Sequence, residues 1–138
     1  MFYDRSSDFW LFEFSAGLHI FASSLISIFV PILLHKNGFS VSDIFLYFFI
    51  LHLLNIPLNF LSQTLIFKFG SKINIIFANV INIVFFICLS FLEKGYALNY
   101  IILLAILAAF YDSFYYVASN YIFISSNRKK ENIRNNTN

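Results

Sequence analysis

The chain has 138 residues, of which 59% are hydrophobic, 21% aromatic and 12% charged, and its formal net charge is +2. Soluble domains average about 45–50% apolar and about 25% charged residues, so this composition excludes a soluble globule and a disordered chain. The single cysteine excludes a disulfide scaffold, and the small net charge excludes a nucleic-acid-binding domain. The composition therefore predicts that the lipid bilayer surrounds this chain.

Four long apolar stretches follow one another, each close to the roughly 20 residues that a helix needs to cross the hydrocarbon core. They cover residues 10–34, 44–67, 73–92 and 98–125. We therefore expect an all-α, polytopic integral membrane protein, with a bundle of four transmembrane helices over residues 1–126. Residues 127–138 are polar and are expected to form a disordered cytoplasmic tail.

Short connections with turn-forming residues separate these stretches. Gly38 follows the first stretch, where a left-handed residue commonly ends a helix, and Ser40 with Asp43 forms a start signal for the second. Gly70 lies in the second connection and Gly95 in the third. Connections this short predict that consecutive helices pack as antiparallel neighbours.

The basic residues flank the four stretches unequally. Lys36 and Lys94 lie on one side of the predicted membrane, and the other seven Lys and Arg residues lie on the opposite side. Those seven are Arg5, Lys68, Lys72, Arg128, Lys129, Lys130 and Arg134. Because loops rich in Lys and Arg stay in the cytoplasm, this bias predicts that both termini are cytoplasmic.

Polar residues within the second stretch share one helical face. His52, Asn55, Asn59 and Gln63 follow one another at steps of three, four and four residues. One interpretation is a stripe that lines a solute path, and the other is hydrogen bonding between helices of a bundle. Both interpretations remain open from the sequence.

The first stretch carries a face of small polar residues together with one histidine. Ser15, His19, Ser23 and Ser27 recur at steps of four residues. Small residues on one face favour close packing of this helix against a neighbour. His19 is a candidate for solute binding or proton relay, because imidazole titrates near neutral pH.

Asp112 lies close to the middle of the fourth stretch. A carboxylate there costs about 2.5–3.5 kcal/mol even on insertion scales, so it needs a partner, a water-filled cavity or a bound proton. We interpret it as a proton-coupling or solute-binding carboxylate, with a structural hydrogen bond to a Tyr or His as the alternative. In both cases Asp112 should face the bundle interior, near His19, His52 or a tyrosine.

No arrangement of residues points to catalysis or to a cofactor. The three histidines lack metal-binding spacing, no Gly-rich phosphate loop occurs, and Cys88 stands alone in an apolar run. We expect a protein that is not an enzyme, with no catalytic residue, metal site or cofactor.

The connection between the second and third stretches resembles the second-turn signature of the major facilitator superfamily of transporters, G-x-x-x-D-R/K-x-G-R/K-R/K. Lys68, Gly70 and Lys72 occupy matching positions. The chain departs from the signature at Gln63, Phe67 and Ser71. The run at 25–32, followed by Asn-Gly-Phe-Ser at 37–40, is similar to the first-helix exit of bacterial members, and residues 109–116 resemble their fourth helix.

This resemblance implies a membrane transport protein of the bacterial inner membrane. Family members have twelve helices in two halves with the solute site between them. Four helices correspond to an N-terminal fragment or truncated form, which we expect to be unable to transport alone. The alternative is a small four-helix accessory or structural subunit that binds another membrane chain or itself. The sequence leaves the small solute open.

The predicted topology can be tested with reporter fusions. Fusions at Lys36 and Lys94 should report the outside of the membrane, and fusions at Gly70 and Asn136 the cytoplasm, because seven of the nine basic residues lie on the second side. A cytoplasmic signal at Lys94 would contradict four crossings with both termini inside.

Overall fold

The computed structural model describes residues 5–93 and 97–136, and within these ranges the chain forms four α-helices and no strand. The helices are α1 (Arg5–Lys36), α2 (Val41–Phe69), α3 (Ser71–Ser90) and α4 (Leu98–Asn136). All four are long and apolar enough to cross a membrane. The expected all-α membrane bundle is therefore confirmed.

The connection between α1 and α2 contains the predicted turn residues in the predicted roles. Gly38 has a φ of 92°, a backbone conformation that residues other than glycine rarely adopt. The Asp43 backbone N–H donates to Ser40 Oγ at 3.2 Å, and the Ser40 backbone N–H donates to Asp43 Oδ2 at 2.9 Å. This reciprocal pair is a capping box, which satisfies two free donors and fixes the start of α2.

Gly70 alone connects α2 to α3. Its φ of 87° and ψ of 159° lie in a region that is essentially restricted to glycine. Its N–H donates to the carbonyl oxygen of Ile66 at 2.9 Å, which satisfies one of the last acceptors of α2. The chain therefore reverses direction at a single residue, and Lys68 and Lys72 lie exposed on either side.

Helix α4 continues well beyond its apolar part. The predicted disorder of the tail after residue 126 is wrong for residues 127–136, which extend α4 to Asn136. The reason is that no Gly or Pro interrupts the chain from Leu98 to Asn136, and that Arg, Lys and Glu are good helix formers. Once the membrane part of α4 has formed, each further residue adds a hydrogen bond without a new nucleation cost. Lys94 and Gly95 of the third connection lie outside the described residues.

Helix α4 is the centre of the bundle. In the most apolar part of α4, 44% of the residues are buried, against 11% in α1. Its contact surface is rich in alanine: Ala105, Ala109 and Ala118 are completely buried. Small residues let helix backbones approach closely, and this approach drives helix association in lipid. Both α2 and α3 consequently pack along α4.

Helix α2 runs alongside α4 in the same direction. Ser113 of α4 is hydrogen-bonded to Asn55 of α2, and further along both helices Phe67 lies edge-on to Tyr121 with ring centroids 6.5 Å apart. The short connections predict that α2 packs mainly against α1 and α3. In the structure the main neighbour of α2 is instead α4. The small side chains of α4 accept α2 and α3 at the same time, which leaves α2 and α3 a shorter mutual contact.

Helix α3 packs antiparallel to α4, as the short connection between them predicts. Near one end, the hydroxyl of Tyr100 donates to the carbonyl oxygen of Cys88 at 2.6 Å. Closer to the middle of α4, the rings of Phe77 and Phe114 lie 5.4 Å apart. The order of these two contacts along the helices shows that α3 and α4 run in opposite directions.

Helix α1 lies at the edge of the bundle. It makes a small contact with α2 and reaches α4 through side chains. Large apolar side chains cover its outer surface, among them Phe14 and Phe21, which are 71% and 64% exposed. Such exposure suits hydrocarbon, because lipid tails are as apolar as the side chains themselves.

Replacing Gly70 by alanine tests the single-residue turn. We expect the free energy of unfolding to fall by about 1–3 kcal/mol, because an alanine must adopt a backbone conformation reserved for glycine. Titration of the detergent-solubilised protein with dodecyl sulfate measures this change.

Gly17→Ala is the matched control. Gly17 lies within α1, and a Cβ added there meets no atom within 4 Å. Its replacement should leave stability unchanged or raise it by up to about 1 kcal/mol, since alanine is the better helix former. Equal losses in the two variants would contradict the strained turn.

Candidate functional site

A cavity of about 170 Å³ lies between the helices, and all four of them contribute to its wall. The cavity combines hydroxyl, amide and carboxylate groups with aromatic rings. Its principal lining residues are Ser23, Ser24 and Ser27 of α1, Tyr47 and Phe48 of α2, Asn82, Phe85 and Phe86 of α3, and Tyr111, Asp112 and Tyr116 of α4. A cavity of this composition inside an apolar bundle is the candidate functional site.

Asp112 faces this cavity, as its position in the fourth stretch predicts. Its carboxylate interacts with the side-chain amide of Asn55 and with the ring of His52. Tyr47, Tyr111 and Tyr116 are also within electrostatic reach of the carboxylate. Asp112 is thus directed away from lipid and is surrounded by polar groups from α2 and α4.

Asn55 connects Asp112 to the bundle. Ser113 Oγ donates a hydrogen bond to Asn55 Oδ1 at 3.0 Å. Because Asn55 Oδ1 accepts from Ser113, it is the NH₂ group of Asn55 that donates to Asp112. The chain of groups from Ser113 through Asn55 to Asp112 therefore crosses from α4 to α2 and back, and it fixes the position of the carboxylate.

His19 attaches α1 to α4. Its Nε2 is hydrogen-bonded to the hydroxyl of Tyr111, and its ring stacks on Tyr115 with centroids 3.9 Å apart. Ser23, one turn further along α1, has its Oγ 3.1 Å from the same Tyr111 hydroxyl. His19 is therefore an anchor at the edge of the cavity, while Ser23 belongs to the cavity wall.

The polar face of α2 divides into two parts. Asn55 is half-buried against α4, whereas His52, Asn59 and Gln63 are exposed on the surface of the bundle. The ring of His52 stacks on Phe48, with centroids 6.5 Å apart. Asn55 thus forms a hydrogen bond between helices, one of the two roles that the sequence suggests for this face. The three exposed side chains remain available to a partner outside the described bundle.

The connection that resembles the transporter signature lies apart from the cavity. Lys68, Gly70 and Lys72 are exposed at the turn between α2 and α3. Phe67, which occupies the acidic position of the signature, is 79% exposed and lies edge-on to Tyr121. An aromatic contact between α2 and α4 therefore stands where the signature places a carboxylate.

Two elements of the cavity were missed from the sequence. Ser23 and Ser27 were expected to promote close packing, but they line the cavity, because α1 stands away from the bundle at this level. Asn82 of α3 was not singled out. It shares a helical face with the buried Asn74 and Ala78, and this spacing of four residues was the signal that could have identified it.

Asn74 has a structural role beside the turn. Its side-chain NH₂ donates to Ser62 Oγ at 2.9 Å and to the carbonyl oxygen of Ser62 at 3.2 Å. Both residues are buried, so this contact ties α2 to α3 near Gly70. Asn82 lies two turns further along the same face and opens into the cavity instead.

The polar groups of the cavity wall are hydroxyl, amide and carboxylate groups. In the described part of the chain, His, Cys, Asp and Glu side chains form no group of three or more that could hold a metal ion. Known proteins offer no guide, since no protein family, curated protein or solved structure matches this chain.

Replacing Tyr111 by phenylalanine tests the attachment of α1. The substitution removes one hydroxyl and with it the hydrogen bonds to His19 and Ser23. We expect the free energy of unfolding to fall by about 0.6–1.7 kcal/mol, the range measured for hydrogen bonds between membrane helices. Adding Ser23→Ala to the variant should cost less than Ser23→Ala does alone, because their shared hydrogen bond is already lost.

Tyr121→Phe provides the control, since it removes a hydroxyl from α4 at a position that packs against α2. Distances between spin labels on exposed Leu18 and Phe123 should broaden in the Tyr111 variant and stay unchanged in the control. The same distance distribution in both variants would show that Tyr111 does not hold α1.

Proposed function

We propose that the four helices form the solute-binding part of a membrane transport protein of the major facilitator type. The observation that carries the proposal is the intramembrane cavity with Asp112 in its wall, to which all four helices contribute. Polar groups gathered around a partly open cavity in an apolar bundle are typical of a solute site.

The position of Asp112 favours binding over a purely structural role. A structural carboxylate is satisfied by a cation or by donors that occupy it fully. Asp112 interacts with the side-chain amide of Asn55 and with the ring of His52, and it also lines the cavity, where a solute can reach it. A solute or a proton that enters the cavity lowers the remaining free-energy cost of placing this carboxylate within the membrane.

The resemblance to the major facilitator superfamily supports the transport part of the proposal. It rests on the bacterial-type first-helix exit and on Lys68, Gly70 and Lys72. In such carriers the site lies between two halves that close it alternately from each side. In this proposal the four helices form part of the wall of such a site, in the inner membrane of a bacterium with both termini cytoplasmic, and further helices complete the pathway.

A second candidate is an accessory or structural subunit, and the exposed polar face of α2 favours it. His52, Asn59 and Gln63 face outward from a bundle whose surface is otherwise largely apolar. Exposed amides in hydrocarbon gain energy by pairing with groups on a neighbouring helix. Both candidates need a partner at this face. The reading frame downstream separates them, because further transporter-like helices support the first and an unrelated gene supports the second.

Reconstitution of the full chain tests the proposal. In nanodiscs, at least one solute from a panel of sugars, amino acids and organic cations should bind saturably, and Asp112→Asn should weaken that binding at least tenfold. Glu93→Gln, which removes an exposed carboxylate outside the cavity, should leave it unchanged. Failure of the whole panel to bind would refute the solute site.

In vesicles, the same chain should show no saturable, gradient-driven uptake. Four helices do not provide two alternating gates, so binding without transport is the expected combination. Robust uptake that disappears in Asp112→Asn would overturn the need for further helices and would identify an oligomeric small transporter.

A further inference from the structure

We propose that the cavity binds a small organic ammonium ion whose nitrogen carries methyl or other alkyl groups. This inference rests on the proposed function, because it assigns a solute class to the cavity described above. Three independent properties of the wall carry it: its charge, the direction of its hydrogen-bonding groups, and its aromatic rings.

The charge of the wall is negative. Asp112 lines the cavity, and no Lys, Arg or His does so in the part of the chain that the structure describes. The imidazole of His52, which interacts with the carboxylate, lies on the exposed side of α2 and is stacked on Phe48. An anionic solute therefore meets repulsion without a compensating cation, whereas a cationic solute neutralises the carboxylate inside the bundle.

The hydroxyl groups contributed by α1 present acceptors. Ser24 Oγ donates its proton to the carbonyl oxygen of Ile20 at 2.8 Å, and Ser27 Oγ donates to the carbonyl oxygen of Ser23 at 2.9 Å. Each hydroxyl has one proton, so the oxygen lone pairs are what remain for a solute. These two acceptors in the same cavity wall as the carboxylate add to the preference for a cation over an anion.

Aromatic rings surround the remaining space. Tyr47 and Phe48 come from α2, Phe85 and Phe86 from α3, and Tyr116 from α4. The negative face of an aromatic ring attracts a cation by about 0.5–2 kcal/mol, and quaternary ammonium groups are recognised in cages of such rings.

The volume limits the size of the solute. The cavity measures about 170 Å³. An engineered cavity of about 150 Å³ in another protein holds one benzene molecule. A trimethylammonium group with a short substituent is of this size, so choline is a suitable probe of the chemistry.

The decisive comparison uses two probes of the same shape. Choline and 3,3-dimethylbutan-1-ol differ in a single atom, the positively charged nitrogen of the former being a carbon in the latter. Calorimetry of the full chain in phosphatidylglycerol nanodiscs should show choline binding at least tenfold more tightly than the neutral alcohol. Equal binding of the two probes would overturn the ammonium assignment and leave the solute site standing.

Substitutions in the cavity wall test which residues cause the preference for choline over the neutral alcohol. Asp112→Asn should bring the affinity ratio of the two probes close to one, while the control Glu93→Gln should keep it. Tyr116→Leu should weaken choline several-fold more than Tyr116→Phe does, because phenylalanine keeps the ring. If Asp112→Asn fails to fold, the comparison of the two probes on the unaltered chain decides the question.

The remaining outcomes separate the two proposals. Binding of a sugar or an amino acid without binding of choline would overturn the ammonium assignment alone. No binding of any probe would overturn both proposals. A second nanodisc preparation containing phosphatidylcholine distinguishes the sources of the ammonium group, since weaker choline binding there identifies the lipid headgroup as the natural occupant and unchanged binding a free solute.

Discussion

The close approach of α2 and α3 to α4 is the interaction on which the rest of the structure depends. It is possible because Ala105, Ala109 and Ala118 place little more than backbone at the contact surface. Hydrophobic burial adds little in lipid, so van der Waals contact between close backbones has to hold the helices together. With three helices fixed in this way, α1 needs only side-chain contacts, and the space that it leaves becomes the cavity.

The polar groups in the interior follow from the same arrangement. The cavity lies beside the part of α4 where Tyr111, Asp112 and Tyr116 follow Ala108 along the chain. Asn55 and Ser113 satisfy each other across the α2–α4 contact at 3.0 Å and hold the carboxylate at the cavity. The buried core is apolar apart from Ser62, Asn74 and Ser113, and large apolar side chains also cover the outer surface, as a hydrocarbon environment favours.

Apolar length and turn chemistry were sufficient to predict the four helices, the capping box at Ser40 and the glycine turns, because these depend on neighbouring residues. The order of helix packing was not predictable in the same way. It depends on which helix offers small residues to two partners, and single-helix periodicity does not contain that information. Asp112 was identified because a mid-membrane charge is costly wherever it lies. The spacing of Asn82 from Asn74 and Ala78 is visible in the sequence, whereas the place of Ser23 and Ser27 in the cavity wall depends on how few contacts join α1 to the other helices.

The length of α4 has a mechanical consequence. Its 39 residues extend over about 58 Å at a rise of 1.5 Å per residue, nearly twice the roughly 30 Å of a bilayer core. From Asp112 to Asn136 the rod measures about 36 Å, so a tilt of about 10° at the cavity displaces its polar end by about 6 Å. The helix that holds the carboxylate therefore also reaches far beyond the lipid, and any tilt of it at the cavity is accompanied by a larger displacement of its polar end.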